Sequence, residues 1–166
     1  MRIFLWASAA ILVLILFAGA FFISEFNLSA LPEPGRMETV LATKGKRFFI
    51  RRASRGEIPS PTKDVSASLA EGDKIFGTDC SECHGNSGRK PTDAGRWMYP
   101  RAADLGSPEV QRYSDRELFW IVKNGIRLSG MPAFSRVESD ENIWDLVHFV
   151  RTLPGSTSPQ SGDAKK

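Results

Sequence analysis

CSECH, Cys80 to His84, holds both cysteines of a 166-residue chain and one of its two histidines. Three chemistries use such a cluster: a redox dithiol, half of a zinc site, or the covalent anchor of a c-type haem. A thioredoxin-like dithiol stands at a helix start after a strand, in a βαβ setting. Here a helical pattern precedes the cysteines and no sheet pattern is visible. A structural zinc needs four ligands. After Cys80, Cys83 and His84 only His148 is left, and His84 directly after Cys83 would share the centre in cramped geometry. Covalent attachment gives one reason for all three residues. Two thiols two residues apart add to the two vinyl groups of one porphyrin, and the imidazole that follows falls beneath the iron as proximal ligand.

Working outward, three helices are expected. The first runs through SASLAEGDKIFGTDC (66–80), with Ser68 and Glu71 in capping-box spacing and Ser66 the alternative start. The second is SDRELFWIVKNG (114–125), with Ser114 and Glu117 as its capping box and Asn124-Gly125 as its stop. The third is DENIWDLVHFVRTLPG (140–155), acidic in its first turn, basic at Arg151 and ended by Pro154-Gly155. Ile143, Val147 and Val150 form its apolar stripe, widened by Leu146, Phe149 and Leu153. No strand pattern occurs between 64 and 153, so the fold class expected is all-α. The loop Asn86–Pro108 is long and without periodicity, and its ordering calls for a large apolar body such as a haem to pack against.

A six-coordinate iron needs a second ligand. The candidates are His148, Met1, Met37, Met98 and Met131. Met1 and Met37 lie outside the helical domain. His148 reads as an ordinary helix residue off the apolar stripe, and Met98 as pocket lining. Met131, in GIRLSGMPAF, has glycine before it for close backbone approach and proline after it to fix the chain direction. A flexible thioether needs that presentation.

With CSECHG followed 47 residues after His84 by GMPAF, the chain resembles class I monohaem cytochromes c, in particular membrane-anchored bacterial respiratory members. The resemblance covers about 64–153. It implies one covalent haem c bound by Cys80, Cys83 and His84, with Met131 as sixth ligand. It implies that Gly72 and Phe76 on the first helix pack against Leu146 and Phe149 on the last. It also implies a proline carbonyl against the proximal Nδ1–H, from Pro100 or from Pro91, with Trp97, Tyr99 and Arg101 as propionate or pocket contacts. Attachment of haem c puts the domain on the outer, periplasmic face of the inner membrane.

Residues Ile3 to Ile23 are apolar apart from Ser8 and Gly19, and at helical rise span roughly 30 Å, about a bilayer core. The segment reads as a transmembrane anchor (1–23). The alternative is a signal peptide cleaved after AGA at 18–20, though the run continues through Phe21, Phe22 and Ile23. Basic residues do not set the orientation, because the group Lys44, Lys46, Arg47, Arg51 and Arg52 begins only about 20 residues beyond the anchor. A connector follows at 24–63, punctuated by LPEPG and IPSPTKD, in which VLATKGKRFFIRR supplies a short strand or packs on the domain. Its bases read as a solvated face or, in a second reading, as contacts to anionic lipid. A disordered tail is expected at 154–166, after the haem domain of 64–153.

The net charge of +3 is unevenly spread. Residues 64–153 hold 11 basic and 14 acidic side chains, whereas 24–63 hold 8 and 4. No motif supports a nucleic-acid partner. The expected partners are the lipid bilayer and redox proteins such as a dehydrogenase or terminal oxidase. The expected function is electron transfer without substrate chemistry. The rival is a gas sensor or peroxidase-like protein with a labile Met131, for which the sequence supplies no distal acid-base pair.

Overall fold

The computed structural model describes residues 2–25 and 29–153. All regular structure among them is helical, in line with the all-α expectation. Two compact units divide the chain, Met1–Pro32 and Glu33–Lys166. The tail at 154–166, with the Pro154-Gly155 stop, lies outside the described residues.

The first unit is helix α1 (Arg2–Glu25). Its described side chains, among them Phe4, Trp6, Leu14 and Phe17, are exposed. Among the described residues no helix is long and apolar enough to cross a membrane.

The second unit begins with a helix where a strand or an irregular packed segment was expected. Helix α2 (Arg36–Ala53) packs on the domain through Ile50, which is 3% exposed. Arg47 reinforces the contact, its guanidinium lying 4.9 Å from the Tyr113 ring centroid and donating to the Arg112 carbonyl at 2.9 Å. The segment then runs extended to Pro59, whose carbonyl accepts from the Trp144 indole at 2.8 Å.

Helix α3 (Val65–Ile75) starts at Asp64, not at Ser66 or Ser68. Ser68 lies inside the first turn and faces the core, 1% exposed. A π-helical turn (Phe76–Cys80) carries the chain into α4 (Ser81–His84). Two short helices break the long loop, α5 (Asp93–Trp97) and α6 (Pro108–Gln111). Helix α7 (Asp115–Asn124) has the expected capping box: Ser114 Oγ accepts from Glu117 N at 3.2 Å and Glu117 Oε2 accepts from Ser114 N at 2.7 Å. After a 3-10 turn (Phe134–Arg136), helix α8 (Asp140–Thr152) closes the domain, capped by Ser139.

The centre of the fold is the crossing of α3 and α8. A Cβ on Gly72 would stand 2.2 Å from the Asp145 carbonyl oxygen, so the backbones touch there. Beside this crossing Phe76 and Phe149 stack with ring centroids 5.0 Å apart, and Leu146 completes the cluster. The larger cluster gathers Phe119, Ile121, Ile143 and Val147 around Trp144, whose ring lies 4.7 Å from Phe119. Arg151 ties the end of α8 to the start of α7 through Asp115 at 2.7 Å and the Gln111 carbonyl at 2.9 Å.

A polar network is built into the same crossing. The Ser68 hydroxyl donates to Asp145, which is 1% exposed, and His148 Nδ1 lies 2.8 Å from the same oxygen. A hydroxyl has one proton, so with Asp145 as its acceptor the bond from His148 is donated by Nδ1–H. His148 on α8 is thereby tied to Ser68 on α3. Lys63 completes the charge balance at 2.8 Å from Asp145 Oδ2.

Lys63 is held above its usual pKa chiefly by its hydrogen bond to Asp145. A raised lysine contributes stability that is complete below its unfolded value, about 10.4, and is lost as pH rises through the folded value. Tyr113, also raised, mainly by burial, titrates in the same alkaline range. The difference between wild type and Lys63→Met isolates the lysine. The variant is expected to melt lower near neutrality, and the gap is expected to narrow as pH rises past about 10.4. Parallel melting curves across that range would deny the linkage.

Candidate functional site

The cysteines are positioned by a change of helical pitch. Five residues of π-helix carry Cys80 off the face of α3, and the single turn of α4 then places Cys83 and His84. Gly85, at φ 76°, ends that turn; a side chain there would strike the Lys90 carbonyl oxygen at 2.1 Å. Both cysteines are free and half-buried. Burial, followed by the charge of Asp79, pushes the Cys80 thiol up to about 12, so it stands as a neutral S–H.

His84 Nδ1 lies 2.8 Å from the Ala103 carbonyl oxygen. A carbonyl only accepts, so Nδ1 carries the proton and Nε2 keeps its lone pair. Burial lowers the His84 pKa against the opposing pull of Ala103, which favours the neutral ring that a metal requires. The expected partner was a proline carbonyl from Pro100 or Pro91. The residue facing Nδ1 is Ala103, because the loop continues three residues past Pro100 before it turns back.

That loop is held by backbone hydrogen bonds more than was expected from its sequence. Thr92 N donates to the Cys83 carbonyl at 3.2 Å, Ala102 N to Gly95 at 2.9 Å and Leu105 N to Gly88 at 2.8 Å. Gly95 passes so close to Cys83 that a Cβ would lie 2.1 Å from its carbonyl oxygen. The protein chain thus supplies much of the ordering that was assigned to a haem alone.

Met131 is half-buried and packs against the larger core cluster. Its backbone is fixed on both sides: Ile126 N donates to its carbonyl at 3.2 Å, and its own N–H donates to Ser129 Oγ at 3.2 Å. Gly125, at φ 67°, permits this return, since a side chain would meet Pro132 C at 2.6 Å. Met98 lies against the loop, its sulfur 2.5 Å from where a Gly130 Cβ would be.

Of the three other pocket candidates, two turn toward the connector and the third is exposed. Tyr99 donates its hydroxyl to Glu38 of α2, Arg101 pairs with Glu33 at 2.8 Å, and Trp97 is 77% exposed. Sequence spacing carries no signal for these pairings, whose partners are about 60 residues apart. The chemistry of the donor set fits a covalent haem: two unpaired thiols with two residues between them, a neutral imidazole whose outer nitrogen is held, and a thioether on a braced loop. Cys80 and Cys83 would form the thioethers, and His84 Nε2 and Met131 Sδ would hold the iron.

The family model described as "Cytochrome C oxidase, cbb3-type, subunit III" matches residues 67–150. No curated protein matches. Among solved structures, one from the reducing HAO-like protein complex of Kuenenia stuttgartiensis is 23% identical, with a TM-score of 0.49 over 61% of this chain and 54% of that one. The chain therefore spans about half the length of that relative. Cytochrome CL from the marine methylotrophic bacterium Methylophaga aminisulfidivorans is 18% identical, with a TM-score of 0.44 over 77% of this chain and 72% of that one.

Proposed function

Because the chain belongs to the cytochrome c family described as cbb3-type oxidase subunit III, we propose that it carries single electrons on a haem c ligated by His84 and Met131, as a membrane-anchored respiratory carrier or cytochrome subunit. It is a class I monohaem cytochrome c with a covalently bound haem c, and its function is haem-based electron transfer.

The observation that carries the ligand assignment is the hydrogen bond from His84 Nδ1 to the Ala103 carbonyl. It fixes the tautomer and turns the ring so that only Nε2 is available, in the residue that directly follows the second cysteine. The haem, when bound, supplies the ferric–ferrous couple, and a thioether opposite imidazole favours the ferrous state. Each residue then has a task that needs no movement. Ala103 orients the imidazole, Cys80 and Cys83 fix the group to the π turn and α4, and Ser129 with Gly125 brace the Met131 backbone. With His84 and Met131 both holding the iron, no coordination position would be left for a substrate.

The anchor is the second part of the proposal. It rests on the sequence, which is apolar from Ile3 to Ile23 apart from Ser8 and Gly19, roughly 30 Å at helical rise. Such a helix holds the haem domain at the periplasmic face, near membrane-bound dehydrogenases and oxidases.

Reduced protein exposed to carbon monoxide at neutral pH tests the function. The expected spectrum is unchanged, because Met131 occupies the sixth position. Rapid formation of a carbonyl adduct would favour the sensor or peroxidase-like reading instead.

A further inference from the structure

Helix α2 has two faces with different surroundings. Thr43, Arg47, Ile50 and Ser54 lie toward the domain, with Ile50 and Ser54 buried. Met37, Leu41, Lys44, Phe48 and Arg52 recur at spacings of four, three, four and four, which is one stripe of a helix, and all are exposed. Phe48 and Phe49 are 63% and 67% exposed and pack edge to face on each other, 5.5 Å apart, rather than on the core. Such a patch of large apolar side chains on a monomer marks a contact surface.

Its chemistry says what covers it. Among the described residues Lys44, Lys46, Arg52 and Arg55 have no ion-pair partner. Lys44, Arg47, Phe48 and Arg51 line a concavity of about 250 Å³, so cations and an aromatic ring share one depression. Next to it Arg51, Arg55 and Arg116 line a second, of about 480 Å³, together with the Glu117 carboxylate, which lies 3.7 Å from Arg51. Apolar rings flanked by Lys44, Lys46, Arg52 and Arg55 match an anionic lipid surface, with acyl chains below and phosphates above. The chain also keeps α2 near a bilayer if α1 is inserted: the ten residues 26–35 between them reach at most about 35 Å.

We propose that α2 is an interfacial helix that docks on an anionic lipid surface, with Leu41 and Phe48 entering the headgroup boundary and Lys44, Arg51, Arg52 and Arg55 meeting the phosphates. The haem domain, which shares the buried face of α2, is then held against the membrane instead of swinging on a free tether. The inference rests on the membrane-anchor reading for the proximity of a bilayer, and the test separates the two.

The full haem-loaded chain is reconstituted in vesicles of phosphatidylcholine alone or with added phosphatidylglycerol. Single spin labels are attached through Leu41→Cys, Phe48→Cys, Leu14→Cys and, at an exposed position of α3, Asp73→Cys, since Cys80 and Cys83 are consumed by the haem. Access of oxygen against a water-soluble nickel complex reads depth. Labels at 41 and 48 are expected to shift from nickel-favoured in neutral vesicles to oxygen-favoured in anionic ones, while the label at 73 stays nickel-favoured. Changing Lys44, Arg51, Arg52 and Arg55 together to glutamine is expected to abolish the shift. Labels at 41 and 48 that remain nickel-favoured in anionic vesicles overturn the proposal. So does shielding from both reagents, which would mean a second protein surface, and so does equal depth in both vesicle types, which would remove the role of charge. The label at 14 judges the anchor separately: oxygen-favoured in both vesicle types if α1 is inserted, nickel-favoured if it is not, whatever α2 does.

Discussion

Met131→Ala is expected to abolish the far-red sulfur-to-iron charge-transfer band of the oxidised protein and to lower its reduction potential by on the order of 0.2 V, within the roughly 0.8 V range that axial ligands command. The reasoning is electronic and geometric together. A thioether stabilises ferrous iron relative to water or a second nitrogen ligand. The Met131 loop is held by Ile126, Ser129 and the glycine return at Gly125, so another side chain does not readily take its place. The reduced variant should also bind carbon monoxide, which wild type should not. A variant that keeps the band would take Met131 out of the coordination sphere and turn attention to Met98, whose sulfur lies against Gly130.

The second large effect is expected at Gly72. An alanine methyl there would meet the Asp145 carbonyl oxygen at 2.2 Å, its carbon at 2.7 Å and Phe149 Cβ at 2.9 Å. Two of these are backbone atoms, so no rotamer change relieves the contact and α3 must separate from α8. Overpacking of this kind costs about 3 kcal/mol or more, a Tm loss of roughly 10 °C. Separation would also disturb the Ser68–Asp145 bond and the stacking of Phe76 on Phe149. Gly45→Ala is the control. Nothing lies within 4 Å of a Cβ there, and alanine inside an exposed helix should stabilise by about 0.5–1 kcal/mol. Equal stability of Gly72→Ala and wild type would mean that the helices do not cross as described.

What the sequence made legible follows the range of the interactions. The haem motif is local, and so is the Ser114–Glu117 capping box, and both are read from spacing alone. The contact of Gly72 with α8 is not local; it was reached through resemblance, and the structure has it. Ser68 shows where spacing misleads. It has the separation from Glu71 that a capping box needs, but its hydroxyl is drawn into the core by Asp145 and His148, residues 77 and 80 positions away. Helix α2 was missed because only Ile50 on it is a buried apolar residue, and Gly45 with the cations around it hides its period. The carbonyl facing His84 was assigned to a proline since loop length cannot say which peptide turns inward. Tyr99 and Arg101 were expected near the haem and instead meet Glu38 and Glu33, acidic residues of a segment that read as a connector.

The whole account depends on one porphyrin joined to Cys80 and Cys83. The direct measurement is the intact mass of the mature chain purified from membranes, after extraction with acidified organic solvent to strip any loosely held haem. The expected mass is that of the polypeptide plus a single haem, falling to that of the polypeptide alone in a Cys80→Ala, Cys83→Ala double variant. A wild-type chain that weighs no more than its amino acids would contradict the account at its base.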